Sequence, residues 1–232
     1  MKIAGFMKTT LLDWEGKVAC TIYLAGCDFR CPYCHNRDLV LRPNEVEGIG
    51  EGDVLGYIRE NTDFLDGVVI SGGEPLLNKD LKDLIKKLRK LGMKIKIDTN
   101  GNHPDELDDL IGAGLVDFVA MDIKCALNER YNAAADAKVD IERIRRSIRV
   151  IIDSGVDHEF RTTVTPIFVK NGDIENICKA ITGAKRYRLH QFRPKNTLDP
   201  SLSVLDPYPE EKVLEMAEIA KKYVKDVRIR GI

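Results

Sequence analysis

Apolar residues along this chain fall into two alternating patterns: short β-branched runs, and stretches in which they recur every three or four positions. The first predicts strands buried in a sheet and the second amphipathic helices, so their alternation reads as repeated βα units around a parallel sheet. Six strands are expected, at 18–25, 67–71, 94–98, 116–123, 158–164 and 186–192. A helix is expected over 53–61, and another from an Asn78 cap through Leu81, Leu84, Ile85, Leu88 and Leu91 to Gly92. Further helices are expected from Pro104, with Asp105 and Glu106 in the first turn, and from an Asp140 cap through Ile141, Ile144, Ile148, Ile151 and Ile152 to Gly155. Two more start near Asp173 and span 209–224, and the tail 226–232 can add a short strand. No repeat or linker divides the chain, which predicts one domain over 1–232, an α/β partial (β/α)6 TIM-like barrel of parallel strands. A closed eight-stranded barrel is the structural alternative.

The polar positions inside these strands change the picture. Lys96 with Asp98, Asp122 with Lys124, and Glu159 with Arg161 stand two residues apart and so share a strand face. Parallel strands covered on both faces read as continuous apolar runs. Paired charges on three strands therefore predict a charged lumen facing a ligand, against the alternative that they mark strand ends or an exposed edge.

The chain has 232 residues, with 36 basic and 37 acidic side chains in balance, which gives no electrostatic reason to expect nucleic acid or an anionic membrane as partner. No apolar run reaches the length of a membrane span and the first ten residues lack a signal-peptide pattern, so a cytoplasmic protein is expected. Of six cysteines, Cys20, Cys125 and Cys178 are scattered and read as small buried apolar residues. Clustering of the other three suits metal ligation in a reducing compartment better than a disulfide framework.

Those three, Cys27, Cys31 and Cys34, lie in Gly26-Cys27-Asp28-Phe29-Arg30-Cys31-Pro32-Tyr33-Cys34-His35-Asn36, behind the first expected strand. Three thiolates in one loop leave a four-coordinate centre one ligand short, and the C-x3-C-x2-C spacing matches neither common ferredoxin pattern. An iron–sulfur cluster with one open iron is one reading; a Cys3His zinc site using His35 is the other.

The motif, with an aromatic residue before its last cysteine and Cys-His-Asn after it, resembles that of radical S-adenosylmethionine (SAM) enzymes, in the branch that activates glycyl-radical enzymes. Ser71-Gly72-Gly73-Glu74-Pro75, Asp98-Thr99-Asn100-Gly101 and Met121-Asp122-Ile123-Lys124 are similar to further elements of that family, each at the end of an expected strand, where such barrels carry function. The stretch 5–17, with Phe192-Arg193-Pro194, is similar to activating proteins of anaerobic ribonucleoside-triphosphate reductase.

The resemblance implies a [4Fe-4S] cluster on Cys27, Cys31 and Cys34, whose open iron takes the amino and carboxylate groups of SAM. It assigns SAM contacts to Tyr33, Gly72, Gly73, Glu74, Asp98, Thr99, Asn100, Asp122, Lys124 and Arg161, and to either His190 or Arg193 at the last strand end. A monovalent cation at Asp98 is part of the same expectation. An electron from a flavodoxin or ferredoxin would cleave SAM to methionine and a 5′-deoxyadenosyl radical, which would take hydrogen from a glycine of a partner glycyl-radical enzyme, anaerobic ribonucleotide reductase in this reading. The alternatives are another partner such as pyruvate formate-lyase, a small-molecule substrate, or a metal-binding or electron-transfer module without SAM cleavage. The long connection 195–206 is expected to contact the partner or form a lid, with its deletion sparing cluster assembly.

Overall fold

The computed structural model describes residues 1–232, and its eight strands form one sheet in unbroken chain order. β1 (Ile3–Thr10) is antiparallel to β2 (Ala19–Leu24). β3 (Gly67–Gly72), β4 (Lys94–Thr99), β5 (Phe118–Asp122), β6 (Asp157–Val164), β7 (Arg186–Gln191) and β8 (Asp226–Arg230) then add in parallel. Seven parallel strands thus replace the six expected, because the tail does form β8, and an eighth antiparallel strand precedes them. β1 escapes the pattern because Gly5, Lys8 and a largely half-exposed face break any alternation. Gly5 has a local reason: a Cβ there would lie 3.3 Å from the Tyr23 ring on the neighbouring strand.

The sheet curls without closing. Arg161 on β6 reaches Asp98 on β4 at 3.0 Å, past the intervening β5, while β1 and β8, at the two ends, do not pair with each other. This is a partial barrel, and the eight-stranded closed alternative is excluded. Outside it pack the helices α1 (Arg37–Leu41), α2 (Glu51–Glu60), α3 (Leu81–Lys90), α4 (Pro104–Gly112), α5 (Tyr131–Ala135), α6 (Ile141–Ser154), α7 (Asn171–Ala180) and α8 (Glu210–Lys221). None is long and apolar enough to cross a membrane.

The core lies between helices and sheet. Leu81, Leu84, Ile85 and Leu88 of α3 and Ile144, Ile148 and Ile151 of α6 are buried against strand residues such as Ile95, Ile97 and Val119. Asp140 caps α6, its carboxylate accepting from the Glu142 amide at 3.0 Å, and Gly155 ends that helix in the left-handed region. The expected Asn78 cap is displaced: Asp80 holds the N-cap of α3 and bonds the terminal amine, while Asn78 closes the short 3-10 turn Pro75–Leu77.

His158, on the helix-facing side of β6, is 1% exposed. Its Nδ1 donates to the Val156 carbonyl at 2.8 Å and its Nε2 accepts from the Lys185 amide at 3.1 Å, a pairing only the neutral ring makes. Burial, aided by Lys185 and Arg186, holds this imidazole below its ordinary value of 6.5. A depressed folded value gives stability that is whole above 6.5 and lost as pH falls through it. Melting temperatures of the cluster-free protein between pH 7.5 and 5 are expected to fall more steeply with acidification than those of His158→Gln, the slope difference isolating this ring from other titrating groups.

Candidate active site

β2 delivers the chain to the mouth of the barrel, where Gly26, at φ +93°, turns it into the cysteine loop. Four separate segments fasten that loop by main-chain hydrogen bonds. Arg30 N–H donates to Ala135 at 2.8 Å, and Gly26 N–H donates to Leu39 at 2.9 Å. Gly26 accepts from Glu74 N–H at 2.8 Å, while Cys34 and Pro32 accept from Leu198 and Asp199, both at 2.8 Å. So fastened, Cys27, Cys31 and Cys34, all free thiols, line a cavity of about 450 Å³. Burial pushes the Cys31 thiol up to about 11 and raises Cys27 and Cys34 as well, so a metal must displace protons to bind.

The donor set fits an iron–sulfur cluster. Cys27 Sγ accepts from the Phe29 amide at 3.4 Å and faces Asn100 Nδ2 at 3.9 Å, contacts of the kind that tune cluster sulfur. It does not fit the zinc alternative: His35 bonds the Arg193 carbonyl at 3.0 Å, and no three His, Cys, Asp or Glu side chains converge on a point that could hold one ion. Asp28 ties the loop to the end of β4, accepting from Asn100 Nδ2 and Asn102 Nδ2 at 2.7 Å and from His103 Nε2 at 2.9 Å. Burial opposes the charge on Asp28, yet these donors bring its carboxyl down to about 2.

Gly72 and Gly73 line the same cavity, but what they approach closely is the chain itself. A Cβ on Gly73 would sit 1.9 Å from the Gly26 carbonyl oxygen, and one on Gly72 would sit 2.4 Å from Leu24 backbone atoms. Glu74 lies beneath the cavity rather than on its wall. Fully buried, it accepts from Leu76 N–H at 3.1 Å, Thr99 Oγ1 at 2.9 Å and Asn100 N–H at 2.7 Å, bracing the end of β4. Burial outweighs these donors and pushes its carboxyl up to about 7. Glu74 thus braces the end of β4 from beneath the cavity.

The charges expected on one face of each strand do meet in the lumen. Arg161 donates from Nε to Asp122 at 2.7 Å and from Nη1 to Asp98 at 3.0 Å. Lys124 pairs with Asp122 and Lys96 with Asp98, each at 3.2 Å. Burial disfavours both carboxylates, but Arg161 and the lysines hold them below the usual range. Asp98 is thus already compensated, and a monovalent cation there would have to displace Lys96 or Arg161. His190 faces the cavity with Nε2 unpartnered, and burial, then Arg161, brings its ring down to about 4, so it is neutral. Tyr33 is buried on the same wall with its hydroxyl unpartnered.

Of the residues singled out in the sequence, the structure brings Cys27, Cys31, Cys34, Tyr33, Gly72, Gly73, Asp98, Thr99, Asn100, Asp122, Lys124, Arg161 and His190 around one cavity. Arg193 is not among them; its side chain lies in a neighbouring groove. Asp13, Ser71 and Thr163 line the cavity without having been expected there. Thr163 was legible as the next same-face residue after Arg161, and Ser71 as the last expected residue of its strand; Asp13 arrives from the β1–β2 turn, where no local pattern marks it. Below them Arg188, 1% exposed, bonds Asp226 at 3.0 Å and stands 3.6 Å from Glu159, a lumen residue foreshadowed only by its alternation with His190.

The connection 195–206 is a strap on the cysteine loop, through Leu198 and Asp199, with Leu202 buried beneath it. These bonds argue against the expectation that its deletion would spare cluster assembly. A chain lacking 197–204 should lose at least half of the iron bound per chain on reconstitution, read by iron and sulfide analysis; full loading would show that the strap is dispensable.

The model of the Radical SAM superfamily matches residues 21–181. A Methanocaldococcus jannaschii protein provisionally named a glycyl-radical enzyme activating enzyme is 36% identical, over 99% of this chain and 96% of its own length. The pyruvate formate-lyase-activating enzyme of Clostridium pasteurianum is 25% identical over 94% of each chain. Among solved structures, SuiB of Streptococcus suis superposes with a TM-score of 0.71 at 15% identity, over 91% of this chain and 49% of SuiB, which supports the fold alone.

Proposed function

The chain belongs to the radical SAM superfamily, and on that premise we propose that residues 1–232 act as one radical SAM domain that activates a glycyl-radical enzyme, with anaerobic ribonucleotide reductase the partner. Enzymes of this family use a [4Fe-4S] cluster and SAM, and Cys27, Cys31 and Cys34 would hold the cluster. Cluster and SAM together supply a 5′-deoxyadenosyl radical for hydrogen abstraction. A flavodoxin or ferredoxin is the proposed electron donor.

The observation that carries this reading is the wall opposite the thiols. SAM brings an ammonium and a carboxylate on its methionine part, and the cavity offers paired charges of both signs beside the three sulfurs. Lys124, fixed by Asp122, presents an ammonium for a carboxylate. Arg161 fixes Asp98 and Asp122 in turn, so these side chains reach a ligand already oriented. The Ser71 hydroxyl, which donates to Asp98 at 3.4 Å, lines the same wall. The neutral His190 offers an unsatisfied ring nitrogen, a buried polar atom whose pairing by ligand would be favourable.

The test is anaerobic. Protein reconstituted with iron and sulfide, reduced and given SAM, is expected to form 5′-deoxyadenosine, and a Cys31→Ala control is not. Adding a candidate reductase should then give a glycyl-radical EPR signal. Deoxyadenosine without that signal from any glycyl-radical partner would retain radical SAM chemistry and remove the activase.

A further inference from the structure

A second groove, about 680 Å³, runs along the open side of the barrel between the β1–β2 turn and the unpaired edge of β8. It is continuous with the cavity at the thiols, sharing Asp13, His35, Thr163 and His190. Its two walls differ in chemistry. On one, Leu11 and Leu12 are 68% and 83% exposed, adjacent leucines with no packing partner. They are presented rather than loose: Thr10 Oγ1 accepts from Leu12 N–H at 3.1 Å and faces Asp13 N–H at 3.4 Å, and the buried Trp14 anchors the turn.

The other wall is basic. Arg193 is exposed, stands against Gly231, and has no carboxylate within ion-pair distance. Beside it Arg228 and Arg230 share the single Glu15 carboxylate with Arg188, Arg230 only at 4.0 Å. Glu15, Asp226 and Glu159 between them serve these three guanidiniums, whereas the rim at Arg193 stays uncompensated.

We infer that this groove docks an extended segment of the partner polypeptide, recognised by an acidic side chain on Arg193 and an apolar one on Leu11 and Leu12, with its main chain along the free edge of β8. An edge strand offers unpaired N–H and C=O groups to such a segment, which gives affinity, while the alternate side chains give specificity. The inference rests on the activase reading, since it places the segment where its neighbouring glycine enters the cavity.

Binding to the reconstituted protein is measured by fluorescence anisotropy at low salt, with a labelled ten-residue peptide of one glycine flanked by valine and two aspartates. A counterpart carries lysines in place of the aspartates. The acidic peptide is expected to bind at least about tenfold more tightly, as one charge-assisted contact allows, and Leu12→Asp to weaken both. Arg193→Glu should abolish the preference. Arg193→Gln, which keeps a polar side chain on a shorter methylene stem and removes only the charge and the reach, should remove most of it, so a fold defect in the reversed variant leaves the question decidable. Equal binding of the two peptides, or a preference indifferent to both Arg193 substitutions, overturns the inference. Self-association lost in Leu12→Asp without peptide preference also overturns it, assigning the groove to a second copy of the chain. SAM cleavage on the same preparation separates the two readings: cleavage without preference removes the groove alone, and preference without cleavage removes the radical chemistry alone.

Discussion

Gly73→Ala should leave a chain that folds yet scarcely holds iron. The new methyl would fall 1.9 Å from the Gly26 carbonyl oxygen, a main-chain atom with no side chain to swing aside. Either the cysteine loop or the end of β3 has to move by more than an ångström, breaking the bonds from Gly73 N–H to Leu24 at 2.9 Å and from Glu74 N–H to Gly26 at 2.8 Å. Overpacking of this kind costs about 1–3 kcal/mol of stability, which a domain of ordinary stability survives. The site does not survive it, because a displacement near 1 Å in a reacting constellation costs on the order of 100-fold in rate. Iron and sulfide per chain should fall well below the parent's, and deoxyadenosine formation about 100-fold. Near-parental values for both would mean that the loop yields to the methyl and that the close approach is incidental.

Arg161→Met is the second substitution with a large effect, this time on the fold. Arg161, 12% exposed, is the only residue bonded to both Asp98 and Asp122. Removing one partner of a buried ion pair costs about 3–5 kcal/mol. Lys96 and Lys124 remain at 3.2 Å, and the Asp122 side chain is 36% exposed, which places the expected loss near the lower end, about 3 kcal/mol. Urea unfolding of the cluster-free protein measures it. The pH dependence adds a signature. Two carboxylates left facing each other are expected to have folded pKa values raised above their unfolded value, so their contribution is better below the raised value and worsens as pH rises through it. The deficit of the variant should therefore shrink between pH 7.5 and 4.5; a constant deficit would mean that the lysines alone suffice to neutralise the pair.

The charged lumen was legible in the sequence because strand geometry has period two and nothing in tertiary packing alters it. Lys96 with Asp98 and Glu159 with Arg161 needed only the knowledge that they lie on strands. Glu74 was not legible in the same way: its neighbours in the chain are consistent with an outward or an inward side chain, and only the donors from Thr99 and Asn100 decide the matter. Gly73 shows a middle case: its motif marked it as a site residue, but its close approach to the Gly26 carbonyl could not be read. β1 and Asp13 lay outside reach because a strand without alternation and a turn reaching back into a lumen are specified by distant residues. The contacts of the strap at 198–199 were out of reach for the same reason, since length marks an unusual connection without saying what it touches.

That strap has a consequence for biosynthesis. Cys27, Cys31 and Cys34 leave the ribosome early, but the backbone partners that fasten their loop include Ala135, Leu198 and Asp199, which follow more than 100 residues later. Until the last third of the chain has been made and docked, the loop of the three thiols lacks the fastening at Leu198 and Asp199. Iron delivered before then meets ligands without a shape, whereas iron delivered afterwards meets a loop held on four sides. The loading yield is therefore expected to depend on how far folding has run when iron and sulfide arrive.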